Sequence, residues 1–318
     1  MNDAILQIAQ KQLQSAQRVL VVSHLRPDGD AVGSLLGLGL SLQTAGKEVQ
    51  MVLADGVPKN FHHLPGVDLV RHKPEGGFDL IAVVDCSDLK RVGDALNGYP
   101  IPDLNIDHHP TNLEFARLNL VDEEAVATAE MLAEYLPKLR LPITQPIATN
   151  LLNGLITDTL GFRTVNISPK ALRLAADLME FGVDLPTLYQ KALLSRSYEA
   201  LRYWGIGLTK LTREGPLVWT ALSLEDRRSV NYPGRDDADL INILSTLEDA
   251  GVVVIFIEQG GGKVKVSWRS QPEYDVSKIA LKFGGGGHKV AAGAEVSGEL
   301  EEVQEKVLEA TKKLFDAD

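Results

Sequence analysis

The sequence contains a single cysteine, Cys86, among its 318 residues. One cysteine cannot form an internal disulfide bond, and it cannot supply the several thiolates of a structural zinc cluster. Any metal site in this chain must therefore be built from carboxylate oxygens and imidazole nitrogens. A buried thiol with a packing role is the ordinary interpretation of Cys86.

Long apolar runs are also missing from the sequence. No stretch approaches the roughly 20 uninterrupted apolar residues of a membrane-spanning helix, and charged residues make up 24% of the chain. The N-terminal segment MNDAILQIAQKQLQSAQ has no basic start followed by an apolar core, so no secretory signal is expected. These features predict a soluble globular protein that stays in the cytoplasm and does not bind a membrane.

Positive charge is scarce as well. The chain has 32 lysine and arginine residues against 43 aspartate and glutamate residues, and its formal net charge is −11 at pH 7. Binding to long nucleic acid requires many phosphates to be neutralised together, so this chain is not expected to bind it. A polyanionic ligand should be short, or it should bind at a local basic site.

Short apolar runs alternate with helical patterns over roughly the first 160 residues, an order that is typical of a parallel α/β sheet. The predicted strands are RVLVVSH, EVQMVLA, DLIAVVD, DLNID and RLNLVD. Near residue 195 the pattern changes to an α+β arrangement. With 44% hydrophobic residues the chain can bury two cores, and we predict an α/β domain at 1–195 and a smaller α+β domain at 196–318.

Polar residues follow several of the predicted strands, and one predicted helix, at the point where each ends. They are His24, Asp28, Asp30, Asp85, Asp107, His108, His109 and Asp158. Ligands of open α/β sheets bind beyond the carboxyl ends of the strands, so one sheet edge can gather these side chains. Six or more oxygen and nitrogen ligands are enough for two metal ions. Taken alone, Asp30 could equally be the N-cap of the following helix, but capping does not explain the whole set.

The types of ligand indicate the metal. Carboxylates neutralise divalent charge and can bridge two ions, whereas imidazole favours transition metals over calcium or magnesium. Manganese fits this mixture best, and magnesium or cobalt are the alternatives. Two such ions can activate water and polarise a phosphoryl group, which is the chemistry of metal-assisted phosphate hydrolysis.

Four segments, SHLRPDGDAVGS, VVDCSD, IDHHPTN and ITDTLGFRT, resemble in order the motifs of the DHH phosphoesterase superfamily. The tail RSQPEYDVSKIALKFGGGGHKVAAGA resembles the DHH-associated C-terminal domain of the same superfamily. In size and motif order the chain is most similar to nanoRNases and 3′-phosphoadenosine 5′-phosphate (pAp) phosphatases, together with stand-alone enzymes that act on cyclic di-AMP or pApA. One departure is that Leu160 stands before Gly161, where the motif has glycine directly after TDT.

The resemblance implies two manganese ions with separate ligand sets that share one carboxylate. One ion would be held by His24, Asp28 and Asp85. The other ion would be held by Asp30, Asp85, His108 and Asp158. The resemblance also implies that His109 faces the scissile phosphate or the leaving group, and that Asp107 orients a ligand imidazole. The expected catalytic residues are therefore Asp85, Asp107 and His109.

The glycine run in FGGGGHKVAAG is expected to bind substrate, because the superfamily uses this loop to hold the distal end of a nucleotide. Bare backbone N–H groups can approach a phosphate or a base there, just before a predicted helix N-terminus. The predicted substrate-binding residues are Gly284, Gly285, Gly286, Gly287, His288, Arg269 and Arg163. A tight turn without a ligand is the alternative for the glycines, and a surface ion pair is the alternative for Arg163.

Together these features predict a two-domain phosphoesterase with its active-site cleft between the domains. The expected reaction is manganese-dependent hydrolysis of short oligoribonucleotides, of pAp, or of both, by metal-activated water. A cyclic di-AMP or pApA phosphodiesterase is the alternative within the same chemistry. A nucleotide-binding sensor with a decayed metal site is the alternative from another class. The superfamily's pyrophosphatases and exopolyphosphatases are less favoured, and a homodimer is left open.

Overall fold

The structure of this chain is a computed structural model, and it describes residues 3–315. Over this range the chain divides into two compact units, with the division between Ser195 and Arg196. Each unit has its own sheet and its own buried core. Within the described residues, no helix is both long enough and apolar enough to cross a membrane.

The N-terminal unit is built on one sheet of six parallel strands, which confirms the predicted α/β class. The strands are β1 (Arg18–Val22), β2 (Glu48–Val52), β3 (Val70–Arg71), β4 (Leu80–Val84), β5 (Leu104–Asp107) and β6 (Leu118–Val121). Their spatial order is β3-β2-β1-β4-β5-β6. The direction of winding therefore reverses between β1 and β4, and open α/β sheets bind ligands at such a reversal.

The central strands are apolar because both faces of the sheet are covered. In β1, Val19 and Val21 pack into a large cluster with the helices, whereas Leu20 and Val22 pack into a smaller cluster on the opposite face. All four side chains are fully buried. Burial of each such side chain is worth roughly 1.5–3 kcal/mol, so the continuous apolar run fixes β1 in the middle of the sheet.

Within the described residues, six α-helices belong to the N-terminal unit. They are α1 (Asp3–Ser15), α2 (Gly29–Thr44), α3 (Thr128–Lys138), α4 (Gln145–Asp158), α5 (Pro169–Glu180) and α6 (Leu185–Tyr189). Shorter turns are the 3₁₀ helices Lys59–Phe61, Val67–Leu69 and Leu89–Leu96 and the π-helix Gln190–Leu194. Helices α2, α3 and α4 contact one another, and Gly154 lets α4 approach α2, since a Cβ atom there would lie 2.6 Å from Asp30 Oδ1.

The C-terminal unit has a mixed sheet of six strands, as the predicted α+β class requires. The strands are β7 (Thr212–Glu214), β8 (Leu217–Leu222), β9 (Val252–Gln259), β10 (Lys263–Ser270), β11 (Gly286–His288) and β12 (Ala291–Ser297). Their order is β11-β12-β10-β9-β8-β7, and of these pairs only β8 and β9 run parallel. The helices are α7 (Tyr198–Thr209), α8 (Leu224–Ser229), α9 (Leu240–Leu244), α10 (Ser277–Lys282) and α11 (Leu300–Lys312).

The segment after the glycine run corrects one prediction. A helix N-terminus was expected there, but β11 and β12 form an antiparallel pair in which Gly287 lies opposite Ala292. Small residues make this pairing close, since a Cβ atom on Gly285 would overlap the main-chain oxygen of Gly293. Alanine favours helices in isolation, but here β12 also pairs with β10 along its whole length, and this tertiary pairing overrides the local preference.

Candidate metal centre

Three neighbouring strands deliver the predicted ligands to one edge of the N-terminal sheet. Strand β1 leads into His24, β4 is followed at once by Asp85, and β5 is followed by His108. Because β1, β4 and β5 are adjacent and parallel, their carboxyl ends lie side by side. The structure therefore brings these side chains together at the point where the winding of the sheet reverses.

The first cluster consists of His24, Asp28 and Asp85. The Nε2 atom of His24 lies 3.6 Å from Asp85 Oδ2 and 4.0 Å from Asp28 Oδ2. Its Nδ1 atom lies 2.8 Å from the carbonyl oxygen of Leu25, which can only accept, so Nδ1 carries a hydrogen. The buried Nε2 atom has no hydrogen-bond partner among the described residues. This nitrogen thus faces two carboxylates, an arrangement that fits a cation.

The second cluster consists of Asp30, His108 and Asp158. The Nε2 atom of His108 lies 3.5 Å from Asp158 Oδ2 and 3.8 Å from Asp85 Oδ1. Its Nδ1 atom lies 3.2 Å from the carbonyl oxygen of Ala125, which orients the ring with Nε2 toward the carboxylates. Metal-binding histidines are commonly held in this way.

Asp85 lies between the two clusters, with one oxygen toward each. Its Oδ2 atom faces His24 and its Oδ1 atom faces His108. A carboxylate can bridge two divalent ions through its two oxygens. The backbone of Asp85 has a φ of 53°, in the left-handed region that costs a non-glycine residue of order 1–3 kcal/mol. The fold therefore holds this residue in a strained conformation where both oxygens can be used.

The acidic side chains of the centre affect one another's protonation. Burial, followed by the charges of neighbouring carboxylates, raises the pKa of Asp30 and Asp158 well above the usual value. Burial acts in the same direction on Asp85, but nearby His24 and His109 outweigh it and hold the pKa of Asp85 below its usual value. This crowding of negative charge would be relieved by divalent cations, and the oxygen and imidazole donors fit such ions.

The two aspartates at the start of α2 have different roles, and this corrects the capping alternative for Asp30. The N-cap is Asp28, whose Oδ1 atom accepts hydrogen bonds from the N–H groups of Asp30 at 3.1 Å and Ala31 at 3.0 Å. Asp30 instead accepts from the Ser34 hydroxyl at 3.0 Å and from the N–H of Thr128 at 2.6 Å. The carboxylate of Asp30 therefore contacts the N-terminus of α3 rather than that of its own helix.

His109 is oriented by Asp107 at the rim of this centre. The Nδ1 atom of His109 lies 2.7 Å from Asp107 Oδ1, and Asn112 donates a 2.6 Å hydrogen bond to Asp107 Oδ2. Asp107 was expected to orient a ligand imidazole, but His108, the predicted ligand, contacts Ala125 instead. Alternate residues of an extended segment point the same way, which places Asp107 and His109 together.

The protonation of His109 follows from these contacts. Burial opposes the charged form, but the hydrogen bond to Asp107 and the negative charge of Asp85 outweigh it and raise the pKa of His109 to about 9. These contacts therefore favour the protonated form of the ring. The distance from its Nδ1 atom to Asp85 Oδ1 is 3.7 Å, so His109 adjoins both clusters.

The chain is similar to known proteins over most of its length. Residues 18–155 match the model of the DHH family, N-terminal domain, and residues 231–316 match the DHHA1 domain. The chain is 37% identical over 301 residues to a bifunctional oligoribonuclease and PAP phosphatase NrnA from Thermus thermophilus, with 93% of this chain and 89% of the relative covered. The chain belongs to the DHH family.

Two further proteins show how far this similarity extends. A bifunctional oligoribonuclease and PAP phosphatase NrnA from Mycoplasma pneumoniae is 27% identical over 292 residues, covering 89% of this chain and 88% of the relative. The crystal structure of an exopolyphosphatase-related protein from Bacteroides fragilis has a TM-score of 0.88 at 24% identity, covering 98% of this chain and 96% of that one. That structure establishes the shared fold.

Three residues near the DHH-family centre were missed by the sequence analysis. The buried Thr128 hydroxyl donates a 3.0 Å hydrogen bond to Asp85 Oδ1, and Asn112 supports Asp107 as described above. The third is Arg91, an exposed cation whose carbonyl oxygen accepts a 2.7 Å hydrogen bond from Leu25, next to His24. Asn112 ends the segment IDHHPTN and could have been chosen from it, whereas nothing in the local sequence indicates the contact of Thr128.

The predicted substrate residues of the DHHA1 domain lie at one end of its sheet. His288 on β11 and Arg269 on β10 both lie opposite Ala291 of the strand between them. His288 is exposed, and Arg269 is half-buried. The Nη1 atom of Arg269 donates to the Trp268 carbonyl at 3.0 Å, and its Nη2 atom lies 3.4 Å from Asn242 Oδ1. Arg269 forms no ion pair with a carboxylate in the described part of the chain.

The four glycines differ in what the backbone requires of them. Gly284 and Gly287 have φ values of 73° and 140°, which side chains rarely adopt, and Gly285 is closely packed against β12. Gly286 has no neighbour within 4 Å of an added Cβ atom and no such φ. The turn alternative therefore accounts for three of the glycines and leaves Gly286 unexplained.

Arg163 belongs to the N-terminal unit. Its side chain is exposed, and its Nε atom donates a 3.1 Å hydrogen bond to the carbonyl oxygen of Leu160. Among the described residues it has no ion-pair partner, so the surface ion pair considered as its alternative is not formed. Leu160, Gly161 and Phe162 all have positive φ, which gives the loop after Asp158 an unusual course.

Proposed function

We propose that this chain is a manganese-dependent phosphoesterase that hydrolyses short oligoribonucleotides and pAp. Membership of the DHH family makes it a hydrolytic phosphodiesterase or phosphatase. The observation that carries the proposal is the position of Asp85, whose two oxygens face two separate clusters of carboxylate and imidazole. Such a centre has the donors that two-ion phosphate hydrolysis needs.

Two divalent cations would be held by the residues of the two clusters. The first would be bound by His24, Asp28 and Asp85 Oδ2. The second would be bound by Asp30, Asp85 Oδ1, His108 and Asp158. When bound, such cations polarise a phosphoryl group and activate water. The proposed ligands are imidazole nitrogens and carboxylate oxygens, with no sulfur atom among them. This mixture is the reason for preferring Mn²⁺, with Mg²⁺ or Co²⁺ as alternatives.

His109 is proposed to act on the leaving group. Its ring holds a proton on Nε2, because Asp107 accepts the hydrogen on Nδ1 and the pKa is raised. A proton donated from Nε2 to the departing oxygen would neutralise the charge that develops there as the ester bond breaks. Asp107, which is fully buried and also bonded to Asn112, keeps the ring in this orientation.

The substrate assignment is supported by the named relatives and by the DHHA1 loop. Two relatives that cover most of the chain are named oligoribonuclease and PAP phosphatase. In this chain Arg269, His288 and the N–H groups of Gly284, Gly285, Gly286 and Gly287 are proposed to hold the terminal nucleotide, and Arg163 a phosphate. A guanidinium such as that of Arg269, which forms no ion pair with a carboxylate among residues 3–315, is suited to an anionic group.

The test is an assay of purified full-length protein on pAp, on oligoribonucleotides of increasing length, and on cyclic di-AMP and pApA. We expect hydrolysis of pAp and short RNA that is abolished by chelator and restored by Mn²⁺ better than by Zn²⁺ or Ca²⁺. Activity on cyclic di-AMP or pApA alone would favour the alternative phosphodiesterase. Nucleotide binding without hydrolysis in Mn²⁺ would favour the sensor. A cytoplasmic location and homodimer formation stay predictions.

A further inference from the structure

Thr128 contacts two of the proposed cation ligands from one position. Its hydroxyl donates a 3.0 Å hydrogen bond to Asp85 Oδ1, and its main-chain N–H donates a 2.6 Å hydrogen bond to Asp30 Oδ2. The residue is fully buried. Thr128 begins α3, whereas Asp30 lies in the first turn of α2 and Asp85 follows β4. One threonine therefore connects three separate parts of the chain at the centre.

The hydrogen bonds of Asp30 decide which of its oxygens remains available. The Oδ1 atom accepts from the Ser34 hydroxyl at 3.0 Å and from the Ala129 N–H at 2.9 Å, whereas Oδ2 accepts only the bond from Thr128 within the described residues. A carboxylate oxygen has two lone pairs, so only Oδ2 retains one. These contacts leave Asp30 able to bind a cation through a single oxygen.

Thr128 also contacts one particular oxygen of the Asp85 carboxylate. The Thr128 hydroxyl bonds to Oδ1, the oxygen that faces His108, and not to Oδ2, which faces His24. One lone pair of Oδ1 remains for a cation. Asp30 also belongs to the cluster that contains His108. The hydroxyl and the N–H of Thr128 therefore both donate to carboxylate oxygens on the side of the cluster that contains His108.

We propose that Thr128 is a positioning residue that sets Asp30 and Asp85 for the cation site containing His108. This inference rests on the two-cation centre proposed above. Two buried carboxylates repel each other, and a donor directed at each offsets part of that repulsion before a cation binds. Groups that hold metal ligands in this way typically change metal affinity by about 10–100-fold when they are removed.

The experiment measures Mn²⁺ binding rather than activity. Full-length protein is stripped with chelator and titrated with Mn²⁺, and free Mn²⁺ is followed by electron paramagnetic resonance. Thr128→Val keeps the volume of the side chain and removes the hydroxyl, so we expect one binding step to weaken about 10-fold or more. Thr128→Ser keeps the hydroxyl and should bind Mn²⁺ with an affinity close to that of the wild type.

Thr159→Val is the matched control. Thr159 is also fully buried and lies next to Asp158, but its hydroxyl donates to the Leu155 carbonyl at 2.7 Å and contacts no proposed ligand. This variant should bind Mn²⁺ like the wild type. Unfolding temperatures with and without Mn²⁺ report whether each variant is folded, and the rise caused by Mn²⁺ should be smaller for Thr128→Val.

The outcomes separate this inference from the proposed function. Wild-type protein that binds no Mn²⁺ would remove the proposed manganese centre itself. If the wild type binds Mn²⁺ and Thr128→Val binds it equally well, or loses no more affinity than Thr159→Val, the role of Thr128 is wrong. If Thr128→Val does not fold, Thr128→Ala replaces it. A loss of Mn²⁺ affinity about 10-fold greater than that of Thr159→Val supports the role of the hydroxyl, and an affinity equal to that of Thr159→Val contradicts it.

Discussion

The metal centre of the DHH domain and the glycine loop of the DHHA1 domain are built in opposite ways. Asp30, Asp85 and Asp107 are almost completely buried, and each is held by hydrogen bonds from other parts of the chain. In the loop, His288 is exposed and Gly286 has open space around it. Buried charged groups need many supporting hydrogen bonds. An exposed loop that is proposed to bind the terminal nucleotides of different substrates does not need such support.

This difference has a consequence for mutation. Changes at the centre should affect every substrate, because the chemistry of the phosphoryl group is common to all of them. Changes in the loop should depend on the substrate, because only some substrates have a terminal nucleotide to hold.

The largest effect is expected at Asp85. Asp85→Ala removes the one carboxylate that faces both clusters, and metal-ion stabilisation is worth several kcal/mol, so activity should fall roughly 10³-fold or more on all substrates. Arg163→Ala, which removes an exposed side chain outside the clusters, should lose far less. The measurement is kcat/KM with pAp and with a small artificial phosphodiester in saturating Mn²⁺. Near wild-type activity of the Asp85 variant would exclude a shared carboxylate.

The next effect concerns His109 and depends on the leaving group. His109→Ala should lower kcat about 10²–10⁴-fold for a ribonucleotide ester, whose leaving alkoxide needs a proton. The loss should be much smaller for a p-nitrophenyl ester, because p-nitrophenolate leaves without one. The two rates are compared in wild type and variant with Mn²⁺ binding measured alongside. Equal losses on both esters would show that His109 does not donate the proton.

A smaller and more selective effect is expected for the side chains beside the loop. His288→Ala and Arg269→Ala should each lower kcat/KM for pAp and dinucleotides by about 10–100-fold, because one lost charged hydrogen bond is worth roughly 1.5–3 kcal/mol. Hydrolysis of the small artificial diester should stay nearly unchanged, because it has no terminal nucleotide. The same proportional loss on both kinds of substrate would show that these residues contribute to the stability of the protein and not to nucleotide binding.

The smallest effect is expected for substitutions of single glycines in the loop. Gly286→Ala meets no neighbour within 4 Å, so the unfolding temperature should not change, yet nucleotide KM should rise if a substrate approaches the bare backbone. Gly285→Ala is the contrasting variant. Its Cβ atom would overlap β12, and such overpacking typically costs about 1–3 kcal/mol of stability. A Gly286 variant with unchanged KM would remove this glycine from the substrate site.

The sequence predicted which candidate ligands come together, but not the residues that hold them in place. His24, Asp85 and His108 could be placed because each follows a strand, and parallel strands end at a common edge. The contact between Thr128 and Asp30 joins residues 98 positions apart, and no local pattern encodes it. The pairing of Asp107 with His109 likewise depends on side-chain direction after β5, which the motif letters do not specify.

The predicted elements show a similar division. The buried strands β1 and β4 were found from their apolar runs. The hairpin of β11 and β12 was missed, because its alanines and glycines do not alternate between apolar and polar residues. The hairpin is stabilised by the pairing of β12 with β10, which the local sequence does not reveal. Local propensity predicts an element well only where the tertiary environment agrees with it.

The lone thiol of Cys86 makes this protein convenient to label. Its side chain is buried beside Asp85, its Sγ atom donates to the Asp88 carbonyl at 3.2 Å, and burial raises the pKa of the thiol to about 12. Burial and the raised pKa both disfavour the reactive thiolate at neutral pH, so alkylating dyes should leave Cys86 untouched. A cysteine introduced on an exposed loop would then be the single attachment point for a fluorophore, with no background substitution needed.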